Sequence, residues 1–105
     1  MIQIKNYING KFINSISNEF IEDINPATGK AHALIPKSSK GDIELAVNAC
    51  ESNDVWSNLS IDLRAKWLDD IADELERRFD EIALLESKDT GKPITLAKNI
   101  DAKRS

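Results

Sequence analysis

Residues 60–93 read SIDLRAKWLDDIADELERRFDEIALLESKDTGKP, and this stretch decides the helical half of the fold. Its apolar residues recur at helical spacing, which is typical of a helix with one buried face. They are Leu63, Trp67, Ile71, Leu75, Phe79, Ile82 and Leu85. Ser60 is a suitable N-cap, and Gly91 followed by Pro93 is a typical helix end. We therefore predict one long amphipathic helix, from Ile61 to Lys88, whose charged side chains form a solvated face.

The predicted length of this helix is itself informative. At 1.5 Å per residue the helix would measure about 42 Å. A compact domain of 105 residues is only roughly 30–35 Å across. We therefore expect the chain to belong to a larger protein or assembly. Because few other elements can cover the apolar stripe, we expect the isolated chain to be aggregation-prone or partly molten.

A shorter helix is predicted ahead of the long one. Ser39 and Asp42 have the spacing of a capping box. One face of this helix carries Ile43, Ala46, Val47 and Cys50. Cys50 is therefore predicted to occupy an apolar core position. Its acidic neighbours Glu51 and Asp54 disfavour a nucleophilic thiolate.

Two segments on either side of the long helix are less regular. Residues 56–60 have the composition of a connector. After Gly91, Pro93 suits the first position of a further helix. Ile94, Ala97 and Ile100 give that helix a weak helical period.

The first third of the chain predicts strands and turns. Asn9-Gly10 between β-favouring residues is a strong hairpin signal, because a type I′ turn needs positive φ at both central residues. Residues 20–24 and 32–35 are further strand candidates, separated by the turn residues of Asn25–Gly29. His32 could act as a ligand or a base. We favour a solvent-side strand residue, since no carboxylate or cysteine lies near it in sequence.

Composition excludes several functions. Fourteen Lys and Arg against eighteen Asp and Glu give a net charge of −4, which disfavours a nucleic-acid-binding face. No apolar run approaches the roughly 20 residues of a membrane span. One Cys and one His exclude a disulfide framework and a zinc site of the usual kind. The first residues lack the apolar core of a signal sequence, so we expect a cytoplasmic protein.

These patterns predict an α/β chain in two parts. Residues 1–38 supply the N-terminal strands and hairpin, and residues 39–105 supply the helical part. None of the four glycines belongs to a phosphate-binding cluster such as G-x-G-x-x-G. Local chemistry alone therefore assigns no catalytic and no cofactor-binding residue.

Six stretches of this sequence are recognisable in their order and spacing. They are Asn6–Phe12, Ile24–Gly29, Ala46-Val47, Trp56-Ser57, Arg64-Ala65 and Leu85–Pro93. Together they resemble the N-terminal segment of the NAD(P)-dependent aldehyde dehydrogenase superfamily. Glu86–Pro93 with Ile100–Ser105 is most similar to the muconic-semialdehyde dehydrogenase branch. Ala102-Lys103 stands where relatives of that branch usually carry Ile-Pro.

The resemblance implies a partial aldehyde dehydrogenase fold, with this segment lying beside a Rossmann-like cofactor domain. It implies a dimeric or tetrameric enzyme that oxidises an aldehyde, such as 2-hydroxy- or 2-aminomuconic semialdehyde, to an acid with NAD. In that family a cysteine forms a thiohemiacetal, hydride passes to the nicotinamide, and a Glu-activated water releases the acid. The nucleophile, the base, the oxyanion-hole Asn and the cofactor motifs all lie further along the family's chain.

One lesser site of the family falls partly within this chain. Many members bind a monovalent cation through backbone carbonyls, two of which match Ile24 and Asp89. The alternative is that Ile24 is simply a strand residue and Asp89 a helix-end residue. Both interpretations remain open at this stage.

Three hypotheses for function follow. The first is the N-terminal part of an aldehyde dehydrogenase, which cannot act catalytically by itself. The second is a non-catalytic interaction module that docks on a partner through its long amphipathic helix. The third, an unrelated small enzyme using Cys50 and His32, is disfavoured by the acidic surroundings of Cys50.

Overall fold

The computed structural model describes residues 1–104. Its strands are β1 (Ile2–Gln3), β2 (Asn6–Ile8), β3 (Lys11–Ile13), β4 (Phe20–Asn25) and β5 (Lys30–Pro36). Its helices are α1 (Lys40–Glu51), α2 (Val55–Asn58), α3 (Ile61–Arg77), α4 (Phe79–Thr90) and α5 (Ile94–Leu96), followed by a π-helical segment (Ala97–Ala102). The α/β class is confirmed. Ser105, the last residue of the predicted helical part, lies outside the described residues.

The predicted N-terminal hairpin is present. β2 and β3 pair antiparallel, with Asn6 opposite Ile13 and Ile8 opposite Lys11. Asn9 and Gly10 both have positive φ, at 51° and 75°. These are the angles that a type I′ turn requires, which explains why Asn-Gly specifies this hairpin.

A second sheet contains three strands in the order β1-β5-β4. β1 was not predicted from the sequence, and it pairs parallel to β5 with Ile2 opposite Ala33. The turn between β4 and β5 is closed by Asn25, whose carbonyl accepts hydrogen bonds from Thr28 and Gly29. The Asn25 side chain also accepts one from the Ala27 N–H at 2.9 Å.

The start of α1 matches the predicted capping box. The Asp42 carboxylate accepts hydrogen bonds from the Ser39 N–H at 2.8 Å and from the Ile16 N–H at 2.9 Å. The Ser39 hydroxyl also donates to this carboxylate. These hydrogen bonds, above all that from Ser39, lower the pKa of Asp42. One buried carboxylate thus fixes both the helix start and the preceding loop.

The prediction of one helix from Ile61 to Lys88 is wrong, because the helix breaks at Arg78. There φ is −101° and ψ is 16°, and α4 starts at the next residue. The apolar stripe advances by steps of four up to Phe79, and each such step drifts about 40° around the helix. A break at Arg78 gives the second helix a new face. The 17 residues of α3 span only roughly 26 Å, less than the width of a domain, so helix length no longer indicates a larger protein.

Two bidentate ion pairs stand on either side of the break. The Arg77 guanidinium donates to Glu74 at 2.8 and 2.6 Å. The Arg78 guanidinium donates to Glu81 over the same two distances. Each hydrogen-bonded arginine lowers the pKa of its glutamate partner. Each arginine is therefore paired within its own side of the break.

After α4 the chain turns through Gly91 and packs back on the helix. Gly91 is the C-cap of α4 in the left-handed conformation, as predicted. Pro93 is the N-cap of α5 rather than its first residue. The π-helical segment packs against α4, and Ala97 and Ala83 are fully buried. Lys98 pairs with Asp80 at 2.8 Å, and Lys92 pairs with Asp101 at the same distance.

The described residues form two compact units. The first unit contains Met1–Ile24 and Ala31–Ser57. The second contains Asn25–Lys30 and the described residues from Asn58 onward. The change from strands to helices lies between Pro36 and Lys40, and a domain boundary after residue 38 remains a prediction.

Candidate functional site

Ile24 is the penultimate residue of β4 and belongs to the first unit. Its side chain is exposed, and the family's site would use its backbone carbonyl rather than that side chain. The next residue, Asn25, begins the turn described above. Ile24 thus lies near the end of a strand, and this position is compatible with both interpretations of the sequence.

Asp89 is the other residue suggested for cation binding, and it lies in the last turn of α4. The last four carbonyls of a helix have no partner within the helix and carry the negative end of its dipole. A backbone carbonyl at this position is therefore a suitable cation ligand. Asp89 belongs to the second unit, and a cation site that combines it with Ile24 stays a prediction.

The end of α4 is held in place by side-chain hydrogen bonds. The Thr90 hydroxyl donates to the Glu86 carbonyl at 2.8 Å, and the Ser87 hydroxyl donates to the Lys92 carbonyl at 2.6 Å. A Cβ on Gly91 would lie only 2.7 Å from Pro26 Cγ. Glycine at this position therefore permits both the left-handed turn and the close approach of Pro26. These contacts join two of the six recognisable stretches.

His32 departs from its predicted solvent-side environment. It is partly buried on β5, and its Nε2 lies 3.0 Å from Asp23 Oδ2 on the neighbouring strand β4. The prediction missed this carboxylate because strand pairing, not sequence distance, brings it close. The pair orients the imidazole.

Cys50 does not occupy the core position that its spacing predicted. The thiol is exposed at the end of α1. The residues of α1 with reduced exposure are Gly41, Asp42, Ala46 and Ala49, so the helix is rotated relative to the predicted face. The capping carboxylate of Asp42 sets this rotation by binding Ile16. His32 pairs with Asp23, whereas Cys50 is exposed at the end of α1.

Large apolar side chains are exposed in both units. In the second unit α3 has no buried residue, and Leu63, Trp67 and Ile71 are about half exposed. In the first unit Tyr7 and Phe12 are both exposed, with ring centroids 4.9 Å apart. Exposed apolar faces of this kind usually mark contacts with other protein surface. The predicted shortage of internal partners for the long stripe is therefore confirmed on α3.

Each unit also contains a shallow cleft. The cleft of the second unit measures about 250 Å³ and is lined by Ala72, Leu75, Glu76, Phe79, Ala102 and Lys103. The cleft of the first unit measures about 190 Å³, between the hairpin and α1. Pockets for small molecules usually have volumes of about 300–1,000 Å³. Neither cleft therefore indicates a substrate site.

The glycines do not provide a dinucleotide site either. Gly10 and Gly29 lie in turns, Gly41 in the first turn of α1, and Gly91 at the end of α4. A dinucleotide is bound where a glycine-rich loop connects a strand to a helix N-terminus. The residues of this chain do not fit that arrangement, so no step with NAD is assigned to them.

Comparison with known proteins identifies the family. The sequence model of the aldehyde dehydrogenase family matches residues 12–105. The chain belongs to the aldehyde dehydrogenase family.

Individual relatives agree with this assignment. The chain is 39% identical to 2-hydroxymuconic semialdehyde dehydrogenase of Pseudomonas sp. strain CF600, over 99% of this chain and 22% of that protein. It is 40% identical to 2-aminomuconic semialdehyde dehydrogenase of Mus musculus, over all of this chain and 21% of that protein. The NAD+ complex of an aldehyde dehydrogenase from Bacillus cereus superposes with a TM-score of 0.90 at 32% identity, over 96% of this chain and 21% of that one.

The chain spans about a fifth of the length of the relatives it matches. Because the superposition covers 96% of this chain, the fold of this aldehyde dehydrogenase segment is established over nearly all its residues. None of its helices within residues 1–104 combines the length and the apolar character needed to cross a bilayer.

Proposed function

We propose that this chain is the N-terminal part of an NAD-dependent aldehyde dehydrogenase that oxidises a muconic semialdehyde to the corresponding acid. The observation that carries the proposal is the match of nearly the whole chain, at about 40% identity, to both a 2-hydroxymuconic and a 2-aminomuconic semialdehyde dehydrogenase. The likeness to an NAD+ complex supports the cofactor.

NAD, held by the rest of the subunit, would supply the hydride acceptor for this oxidation, and water would supply the second oxygen of the acid. The chain's own contribution is structural. The hairpin β2-β3, the capped helix α1 and the Gly91 turn are the locally specified elements that it would supply. The apolar faces of α1 and α3 would be covered by the rest of the subunit, which makes their exposure here consistent with the proposal.

Three further properties belong to the same proposal. The carbonyls of Ile24 and Asp89 would hold a monovalent cation that stabilises the fold. The complete enzyme would be a cytoplasmic homo-oligomer with a small aldehyde as its substrate. The net charge of −4 fits a protein that binds neither nucleic acid nor an anionic membrane surface.

The first test is the mass of the natural protein that carries this N-terminus, followed by its activity. We expect a product several times heavier than 11.7 kDa. We expect it to form NADH, measured by absorbance, with 2-hydroxymuconic semialdehyde. Betaine aldehyde is the control substrate, and NADP replaces NAD in a parallel assay. A heavy product that oxidises betaine aldehyde but no muconic semialdehyde would overturn the substrate assignment and leave the family intact.

A second candidate function is a non-catalytic docking module, favoured by the uncovered face of α3. A natural product of 11.7 kDa without dehydrogenase activity would support this alternative. Its partner would then be sought by co-precipitation, with Ile71→Lys as a variant that disrupts the apolar face. Ala65→Lys, at an exposed position off the apolar stripe of the same helix, is the matched control, because it also adds a single positive charge.

A further inference from the structure

We draw no further inference here: the strongest candidate, the exposed apolar face of α3 formed by Leu63, Trp67 and Ile71, carries nothing because its cover belongs to the function already proposed and nothing in the structure selects another occupant.

Discussion

The helices α3 and α4 are neighbours in the chain, yet of the two only α4 contains a buried residue. α4 packs against the π-helical segment, and each contributes a fully buried alanine. No residue of α3 is buried, although α3 has the more regular stripe. An apolar stripe therefore predicts that one face of a helix will be buried, but it does not identify the segment that packs on it. For α4 that segment is the next one in the chain, because the turn at Gly91 brings the π-helical segment back against the helix.

The largest loss of stability in α4 is expected for Gly91→Ala. Alanine would be strained at φ +75° and its Cβ would lie 2.7 Å from Pro26 Cγ. We expect a loss of about 3 kcal/mol, combining backbone strain with overpacking. The measurement is the opening free energy of α4 by native-state hydrogen exchange, in the protein that carries this chain.

The matched control for this substitution is Gly29→Ala. Gly29 also has positive φ, but an added Cβ there would meet nothing within 4 Å. We expect a loss of about 1 kcal/mol from backbone strain alone. Adding Pro26→Ala to Gly91→Ala should recover part of the loss. Equal losses for the two alanines, with no recovery, would show that the Pro26 contact contributes nothing.

Ala83→Leu tests whether the contact of α4 with the π-helical segment is tightly packed. Ala83 is fully buried, so the larger side chain should cost about 2 kcal/mol. Ala65→Leu on α3 adds the same atoms at an exposed position and should change stability by less than about 0.5 kcal/mol. Urea unfolding of both variants, made in the protein that carries this chain, measures the difference. Similar values for the pair would contradict the contrast between the two helices.

Ser60→Ala tests how far α3 depends on its own local interactions. The Ser60 hydroxyl accepts a hydrogen bond from the Leu63 N–H at 3.2 Å. Losing this cap should cost about 1 kcal/mol, and Ser60→Gly should cost only a few tenths. The readout is the exchange rate of the amides in the first turn of α3. If alanine and glycine have the same small effect, packing rather than the cap holds the helix start.

How much of this could be predicted depends on the range of the interaction. The Asn9-Gly10 turn, the Ser39 and Ser60 caps and the Gly91 stop are encoded within a few residues, and all were predicted. Most errors occurred where distant segments meet. Cys50 was assigned to the core because spacing along α1 does not show that Asp42 binds Ile16 and sets the helix rotation.

Contacts between distant residues also explain what was missed around the candidate site. Asp23 and His32 come together only when β4 lies beside β5, which the sequence spacing did not indicate. The break at Arg78 was missed because neither glycine nor proline marks it, and only the change of step in the stripe gave a sign. Ile24 and Asp89 could be suggested only by the family resemblance. Every residue has a backbone carbonyl, so residue type does not indicate which carbonyls bind a cation.

The smallest effect is expected for Ile71→Ala on the open face of α3. Ile71 is 52% exposed, so its truncation in the 105-residue chain should cost less than about 1 kcal/mol, whereas a buried isoleucine would lose about 2–5 kcal/mol. The same substitution in a longer protein that covers α3 should approach the buried value, because the removed atoms would then leave a cavity. Hydrogen exchange of the α3 amides in both proteins compares the two costs.

A large cost in the short chain would mean that α3 is already covered there. A small cost in both would mean that the rest of the dehydrogenase packs elsewhere, and the uncovered face would then favour the docking module.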